Sequence, residues 1–330
     1  MGATSGDTGS AAIDGVRHCR AADIVMLYPA GRISEVQRRQ MTTVDAPNVH
    51  VLAVEGTFDD CQDLVKAMFA DEPFRDRHHL SAVNSINWAR VMAQTVYYVT
   101  AALSLGGGPG HRPVSFSVPT GNFGNVLSGW IAHRAGLPVE RLVVGSNRND
   151  ILTRFLASGI MATSVVVPTV SPSMDIQVSS NFERLLFELN HRDGGMTAEQ
   201  LGRFRATGSL SVEADQLDQI SAVFAGARCD DETTLAVIGD TYRRAGVLVD
   251  PHTAVGLHAA RSVDRDPAVP MVVLATAHPA KFPDAVEEAT GVRPALPAHL
   301  LDLFDRPERI TTLPNELAAV ETYIHQAVRA

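Results

Sequence analysis

The chain has 330 residues, of which 45% are hydrophobic and 20% charged, and its formal net charge is −9. That length and balance describe a folded protein with room for two domains, and the acidic excess offers no basic field for nucleic acid. No apolar run reaches the roughly 18 residues that cross a bilayer, no basic-then-apolar leader opens the sequence, and three widely spaced cysteines, Cys19, Cys61 and Cys229, read as reduced, mostly buried thiols of a cytoplasmic protein.

The chain opens on a glycine-rich turn, ATSGDTGS (3–10), of the kind that joins a strand to a helix, and no strand is read ahead of it. Helical spacing follows over 10–22, then buried-strand runs at 22–29 and 49–56. TFDDCQDLVKAMFAD (57–71) is predicted as a helix, with Thr57 as N-cap and Asp59 and Asp60 at the positive end of its dipole. A further helix is predicted over 84–103. GGGPGHRP (106–113) reads as the connector between a small domain, 1–105, and a large one, 106–330. The large domain begins with a strand at 114–119, a glycine turn TGNFGN at 120–125, a helix at 126–137 and a strand at 141–147. A mostly helical stretch runs to residue 245, including an insertion over 171–245; a late strand spans 271–278 and the end is helical. Strands separated by helices predict an α/β protein with mostly parallel sheets, whose ligands sit beyond the carboxyl ends of the strands. Both glycine turns fall there.

In TGNFGN, Gly121 and Gly124 allow backbone N–H groups to converge at a helix start, with side-chain donors from Asn122 and Asn125. That is an anion site, although glycine spacing alone is equally that of a plain strand–helix turn. ATSGDTGS has the same logic: Thr4, Ser5 and Thr8 bring hydroxyls, and Gly6 and Gly9 let the backbone approach a small carboxylate or phosphate. It is neither a Walker A loop nor a dinucleotide fingerprint. NSINWAR (84–90) sets Asn84, Ser85, Asn87 and Arg90 at a helix start, either to grip an oxyanion or as a capped helix with a surface arginine. His252 and His258 are six residues apart and His78 and His79 adjacent, so no metal-ligand spacing is present and no metal is expected. His252 reads as a helix N-terminal residue that hydrogen-bonds locally. Lysine occurs only at Lys66 and Lys281.

Taken together and in order, ATSGDTGSAAI, EGTFDDCQDLVKAMF, NSINWARVMAQTVYY, VPTGNFGNVLSGWIA, SNRNDILTRFL, SPSMDIQVSSNFERLLFEL, DPHTAVG and TAHPAKFPDAV resemble the threonine synthase family, from residue 3 to about 287. The resemblance implies the tryptophan synthase β-like fold, PLP fold type II, with two three-layer αβα domains. It also implies a pyridoxal 5′-phosphate lyase that converts O-phospho-L-homoserine and water to L-threonine and phosphate, as a monomer or homodimer. Gly121, Asn122, Phe123, Gly124 and Asn125 are then expected to cradle the cofactor phosphate and Thr276 to hydrogen-bond the pyridine nitrogen. Asp7 is expected beside the cofactor ring, although related enzymes often carry asparagine there. Ser5 and Thr8 are expected at the substrate carboxylate, and Asn84, Ser85, Asn87 and Arg90 at the substrate phosphate.

The family's Schiff-base lysine lies upstream of the TSGDTG loop, in a motif similar to HGPTLAFKD, which this sequence does not contain. Lys66 and Lys281 match other family positions, so no catalytic lysine is assigned. The expectation is a chain truncated at its N-terminus, through a misassigned start or a genuine loss, with a sheet edge left partly uncovered and no normal turnover alone. Two alternatives remain open: another fold type II enzyme, such as threonine dehydratase or cysteine synthase, and a catalytically dead homologue that binds the cofactor or a phosphorylated metabolite.

Overall fold

The structure, a computed structural model, describes residues 1–4, 6–108 and 112–328. Its strands are β1 (Gly2–Ala3), β2 (Ile24–Pro29), β3 (Val49–Glu55), β4 (Val114–Pro119), β5 (Val139–Ser146), β6 (Ile160–Ala162), β7 (Ser209–Ser211), β8 (Phe224–Arg228), β9 (Met271–Val273) and β10 (Thr311–Pro314). Its helices are α1 (Asp7–Val16), α2 (Glu35–Thr42), α3 (Phe58–Ala70), α4 (Glu72–Arg77), α5 (Trp88–Ser104), α6 (Gly124–Arg134), α7 (Ile151–Ser158), α8 (Phe182–Leu189), α9 (Gly194–Thr207), α10 (Ala214–Ser221), α11 (Asp231–Ala245), α12 (Pro251–Ser262), α13 (Pro283–Thr290) and α14 (Leu317–Ala327). They form two compact units, Met1–Asn87 with Ala295–Ala330, and Trp88–Pro294.

The first unit is built on a parallel sheet of order β1-β2-β3-β10. Successive strand residues face opposite ways, and the sequence uses both faces. Ile24, Met26 and Tyr28 of β2, with Val51 and Ala53 of β3, pack with Ile13 of α1 and Met41 of α2. Val25 and Leu27, with Leu52 and Val54, pack instead with Cys61, Leu64 and Met68 of α3 and Val320 and Ile324 of α14. The chain therefore reads IVMLY without polar interruption, as a strand covered on both sides must. Thr57 caps α3 as predicted, in a capping box with Asp60. A second box, Ser34 with Gln37, starts α2, a helix not predicted because its sequence EVQRRQMT carries little apolar periodicity.

Two expectations are corrected here. The opening turn does follow a strand: Gly2 and Ala3 pair with Met26 and Leu27, and the Thr4 N–H donates to the Leu27 carbonyl at 2.9 Å. The division at 105/106 also gives way, for two physical reasons. Residues 311–314 add β10 to the edge of β3, so the C-terminal segment returns to the first unit. Helix α5 belongs to the second unit, because its Tyr98 packs edge-on against Phe116 of β4 at 4.8 Å.

The second unit has a parallel sheet of order β8-β5-β4-β9, and β6 and β7 form a separate antiparallel pair. The alternation recurs. Val114, Phe116 and Val118 of β4, with Leu142 and Val144 of β5, join a core containing Tyr98 of α5, Val126 and Leu127 of α6 and Phe155 of α7. The opposite face of β4 carries Ser115 and Ser117, and β5 carries Gly145. These small residues admit α12 closely: the Ser117 hydroxyl donates to the Gly256 carbonyl at 2.7 Å. The stretch expected as a helical insertion over 171–245 also contains β8, which pairs with β5 as an edge of the main sheet. FAGAR is short and half-buried, so it shows no two-residue alternation.

Candidate functional site

Strand β4 ends at Pro119, and the chain turns through 120–125 into α6. The Thr120 N–H is held by the Gly145 carbonyl at 2.9 Å and its hydroxyl donates to the Val118 carbonyl at 2.7 Å, which fixes where the loop leaves the sheet. Phe123 sits at φ 60°, ψ 0°, a left-handed conformation uncommon for a bulky residue. Its ring is buried between Phe182 and Phe224, at 5.7 and 5.8 Å, and this packing offsets the strain. Helix α6 then begins with no side-chain cap. The N–H groups of a first helical turn have no intrahelical partner and lie at the positive end of the dipole. Such a start has the chemistry that favours an anion, and Gly121, Asn122, Gly124 and Asn125 are half-buried around it.

The loop is walled by residues 171–181, part of the stretch that carries the family resemblance but to which the sequence assigned no residue role. The Ser179 hydroxyl donates to the Gly121 carbonyl at 2.6 Å, the Ser180 hydroxyl to Asn122 Oδ1 at 3.2 Å, and Asn181 to the Asn122 carbonyl through both its backbone N–H (3.1 Å) and Nδ2 (3.0 Å). A Cβ at position 121 would stand 2.7 Å from the Ser173 carbonyl oxygen, so this approach requires glycine. The wall is fixed from behind by Asp175. One of its carboxylate oxygens accepts from Asn147, Asn149 and the Thr169 hydroxyl at 2.7–2.9 Å, and the other accepts from the Thr169 N–H at 2.9 Å. Asp250 and His252 hold it at a second point, where the Ser173 N–H donates to His252 Nε2 at 3.2 Å. His252 does hydrogen-bond locally at a helix start, as predicted, with Asp250 capping α12.

Asn125 is oriented by two phenols. Tyr97 donates to its Oδ1 at 2.5 Å, and the Tyr98 hydroxyl lies 2.8 Å from its carbonyl oxygen and 3.0 Å from the same Oδ1. With Oδ1 occupied as acceptor, the amide's Nδ2 is left to serve as donor. Burial raises both phenols above their ordinary range, most strongly Tyr98, while the Arg90 charge, two turns earlier on α5, partly opposes the rise at Tyr97. Arg90 and Tyr97 share one face of α5, two turns apart, and Tyr97 leads on to Asn125. Thr276 belongs to the same sheet edge. Val273 pairs with Ser117 and ends β9 beside β4, and Thr276 follows three residues past that end, exposed. Cavity size does not locate this site. Two cavities of about 350 and 540 Å³ flank α6 and α8 and include Trp130, Arg134 and Arg192, but the 120–125 loop lines neither.

In the first unit the ATSGDTGS turn is shaped from within. The Thr4 hydroxyl accepts from the Gly6 and Gly9 N–H groups, each at 2.9 Å, and Thr4 is buried, so its hydroxyl builds the turn instead of lining it. Gly6 has φ 129°, and a Cβ there would strike the Gln37 side chain at 2.6 Å. Asp7 opens α1 and accepts from Gln37 Nε2 at 3.1 Å; Thr8 follows it on the helix, half-buried. Ser5 lies outside the described residues. Asn84, Ser85 and Asn87 occupy the turn before α5, where Asn84 Oδ1 accepts from the Ile86 N–H at 3.1 Å. Lys66 is exposed on α3 in an ion pair with Asp63 at 2.9 Å, and Lys281 ends the short turn Pro279–Lys281 before α13. Among the described residues no three side chains gather as metal ligands, and no helix is long and apolar enough to cross a membrane.

Comparison with known proteins adds four findings. The family described as "Threonine synthase, C-terminal" matches residues 253–324. A threonine synthase of Pseudomonas aeruginosa is 56% identical over 327 residues, which covers 99% of this chain and 69% of that protein. Among solved structures, a pyridoxal phosphate-bound threonine synthase from Brucella melitensis superposes with a TM-score of 0.95 at 52% identity, over 100% of this chain and 70% of that one. Maize serine racemase, with a TM-score of 0.54 and 12% identity over 83% of this chain and 71% of its own, shares the fold alone.

Proposed function

The chain belongs to the threonine synthase family, with the parallel-sheet architecture of the fold type II pyridoxal phosphate enzymes, and we propose that it serves the conversion of O-phospho-L-homoserine and water to L-threonine and phosphate. The observation that carries this reading is the uncapped start of α6 behind the 120–125 loop, closed by Ser173 so tightly that only glycine fits at 121. Backbone N–H donors, a helix dipole and an oriented Asn125 amide make a donor set suited to a phosphate monoester dianion. That set fits the phosphate of pyridoxal 5′-phosphate.

When bound, the cofactor supplies the electron sink that makes the substrate's α and β positions acidic. The chain's own residues bind and orient, and neither Lys66 nor Lys281 is assigned to the cofactor's aldehyde. Gly121, Asn122, Phe123, Gly124 and Asn125 anchor the phosphate and so fix the ring's position. Thr276, carried to the same sheet edge, offers a neutral hydroxyl to the ring nitrogen, a weaker electron draw than a carboxylate and suited to chemistry along the side chain. By the family resemblance, Ser5 and Thr8 of the first unit would take the substrate carboxylate and Asp7 would serve the cofactor. Arg90 would hold the departing phosphate and stabilise its charge, and Asn84, Ser85 and Asn87 would donate hydrogen bonds to that same phosphate.

Substrate choice tests the reading. In equilibrium dialysis, the purified chain is expected to bind one equivalent of pyridoxine 5′-phosphate, which has no aldehyde to react with lysine, and O-phospho-L-homoserine ahead of L-threonine. Failure to bind the phosphorylated vitamer would overturn the assignment of the cup. Preference for unphosphorylated L-threonine would move the chain to dehydratase chemistry.

A further inference from the structure

We propose that His252 is a positioning residue: it pins the wall at Ser173 against the 120–125 loop and thereby sets how tightly the loop grips a phosphate monoester. The inference rests on the cup assignment above and extends it to a side chain outside the loop.

His252 is 3% exposed and Asp250 fully buried. Nδ1 lies 2.8 Å from Asp250 Oδ1, and a carboxylate can only accept, so Nδ1 carries the proton. On the far side of the ring the Ser173 N–H points at Nε2 at 3.2 Å. Two donors cannot face each other, so Nε2 presents its lone pair and the ring is held in one neutral tautomer. Phe282 covers it, with ring centroids 4.7 Å apart.

This arrangement exceeds what capping α12 requires. Asp250 already accepts from the backbone N–H groups of His252 and Thr253 and from the Thr253 hydroxyl, so the helix start is satisfied without the imidazole. The ring's second nitrogen reaches instead to the residue whose carbonyl oxygen stands 2.7 Å from where a Cβ of residue 121 would be. A chain of contacts thus runs from Asp250 through His252 and Ser173 to the loop.

Two substitutions separate the ring's two ends. His252→Asn keeps a donor at the Nδ1 position for Asp250 but cannot reach Ser173. His252→Gln places a carbonyl oxygen near the Nε2 position and keeps the acceptor. By equilibrium dialysis with pyridoxine 5′-phosphate, H252N is expected to bind about tenfold more weakly than wild type, the scale of one hydrogen bond to a buried donor. H252Q is expected within about threefold, and Thr253→Val, which trims the cap but spares the ring, likewise. Amide exchange is expected to show a protected Ser173 N–H in wild type and H252Q and faster exchange in H252N. Wild-type affinity in H252N, equal losses in H252N and H252Q, or an unprotected Ser173 amide in the wild type would overturn the proposal. Wild-type protein that binds no vitamer phosphate would overturn the cup assignment as well, which sets that outcome apart from the others.

Discussion

Tyr97 donates its phenolic proton to Asn125 Oδ1 at 2.5 Å, while its neighbour Tyr98 reaches the same residue from the core. The two phenols divide the work. Tyr98 is fully buried and packed on Phe116, so its hydroxyl serves stability. Tyr97 is partly exposed and orients the amide. Y97F is expected to weaken pyridoxine 5′-phosphate binding about fivefold with little change in urea midpoint, and Y98F to lower stability by about 1–2 kcal/mol, the cost of an unmade buried hydrogen bond. Dialysis and urea denaturation on both variants check this division; the reverse pattern would refute it.

Gly121 admits no side chain without moving the wall, because the atom in the way is a backbone carbonyl. G121A is expected to push Ser173 outward, break the hydrogen bond from Ser179 to the Gly121 carbonyl, and cut phosphate-ester affinity at least tenfold. Equal affinity in wild type and G121A would show that the loop is a plain turn.

The three thiols differ in the way burial dictates. Cys19 is exposed, whereas Cys61 and Cys229 are buried, and burial pushes them up to about 12 and about 11. Only the thiolate reacts quickly. At pH 8 a disulfide reagent such as dithiobis-nitrobenzoate is expected to modify one thiol per native chain, and all three in denaturant. Rapid reaction of more than one native thiol would contradict the packing around α3 and α12.

Glu308 ties the C-terminal segment to α2. Its carboxylate accepts two parallel hydrogen bonds from Arg38, at 2.9 and 3.0 Å, and one from the Thr42 hydroxyl at 2.7 Å. Burial acts to raise this carboxyl, but the hydrogen bonds from Thr42 and Arg38 and the charges of Arg38 and Arg39 outweigh it, so the group lies below its ordinary 4.5. A depressed carboxyl stabilises the fold above its unfolded value and loses that contribution as pH falls through the folded value. Protection of α2 and β10 amides is therefore expected to decline as pH drops below about 4.5, and E308Q to cost about 1 kcal/mol at pH 7 while flattening that decline. An acid decline identical in E308Q would assign it to other carboxylates.

Much of this was legible in the sequence because local physics coincided with the final fold. β4 was read residue for residue, since Val114, Phe116 and Val118 alternate with small residues between a proline and a glycine turn, and Thr57 declared its helix through its own side chain. The loop at 120–125 was legible because glycine spacing and asparagine donors lie together in the chain. The wall was not. Ser173, Ser179 and Asn181 are some fifty to sixty residues from the loop; Ser179 and Asn181 act only as hydrogen bonds to its carbonyl oxygens, and Ser173 only through the close approach of its backbone carbonyl to Gly121. Thr4 misled for a related reason: a hydroxyl in a glycine turn can face a ligand or fold back on the turn's own amides, and composition does not distinguish the two. The domain boundary failed because the decisive strand, β10, is four residues long and ends in proline.

That short strand governs the order in which the protein can assemble during synthesis. Trp88–Pro294 forms one uninterrupted stretch and can close its core as soon as it leaves the ribosome, whereas the first unit waits for residues beyond 294. Until then β3 presents an open sheet edge, the sort of template that recruits wrong partners. The unit that begins ahead of Trp88 is thus completed last, and a ribosome stalled just short of residue 311 would release a chain with Trp88–Pro294 closed and the β3 edge still open.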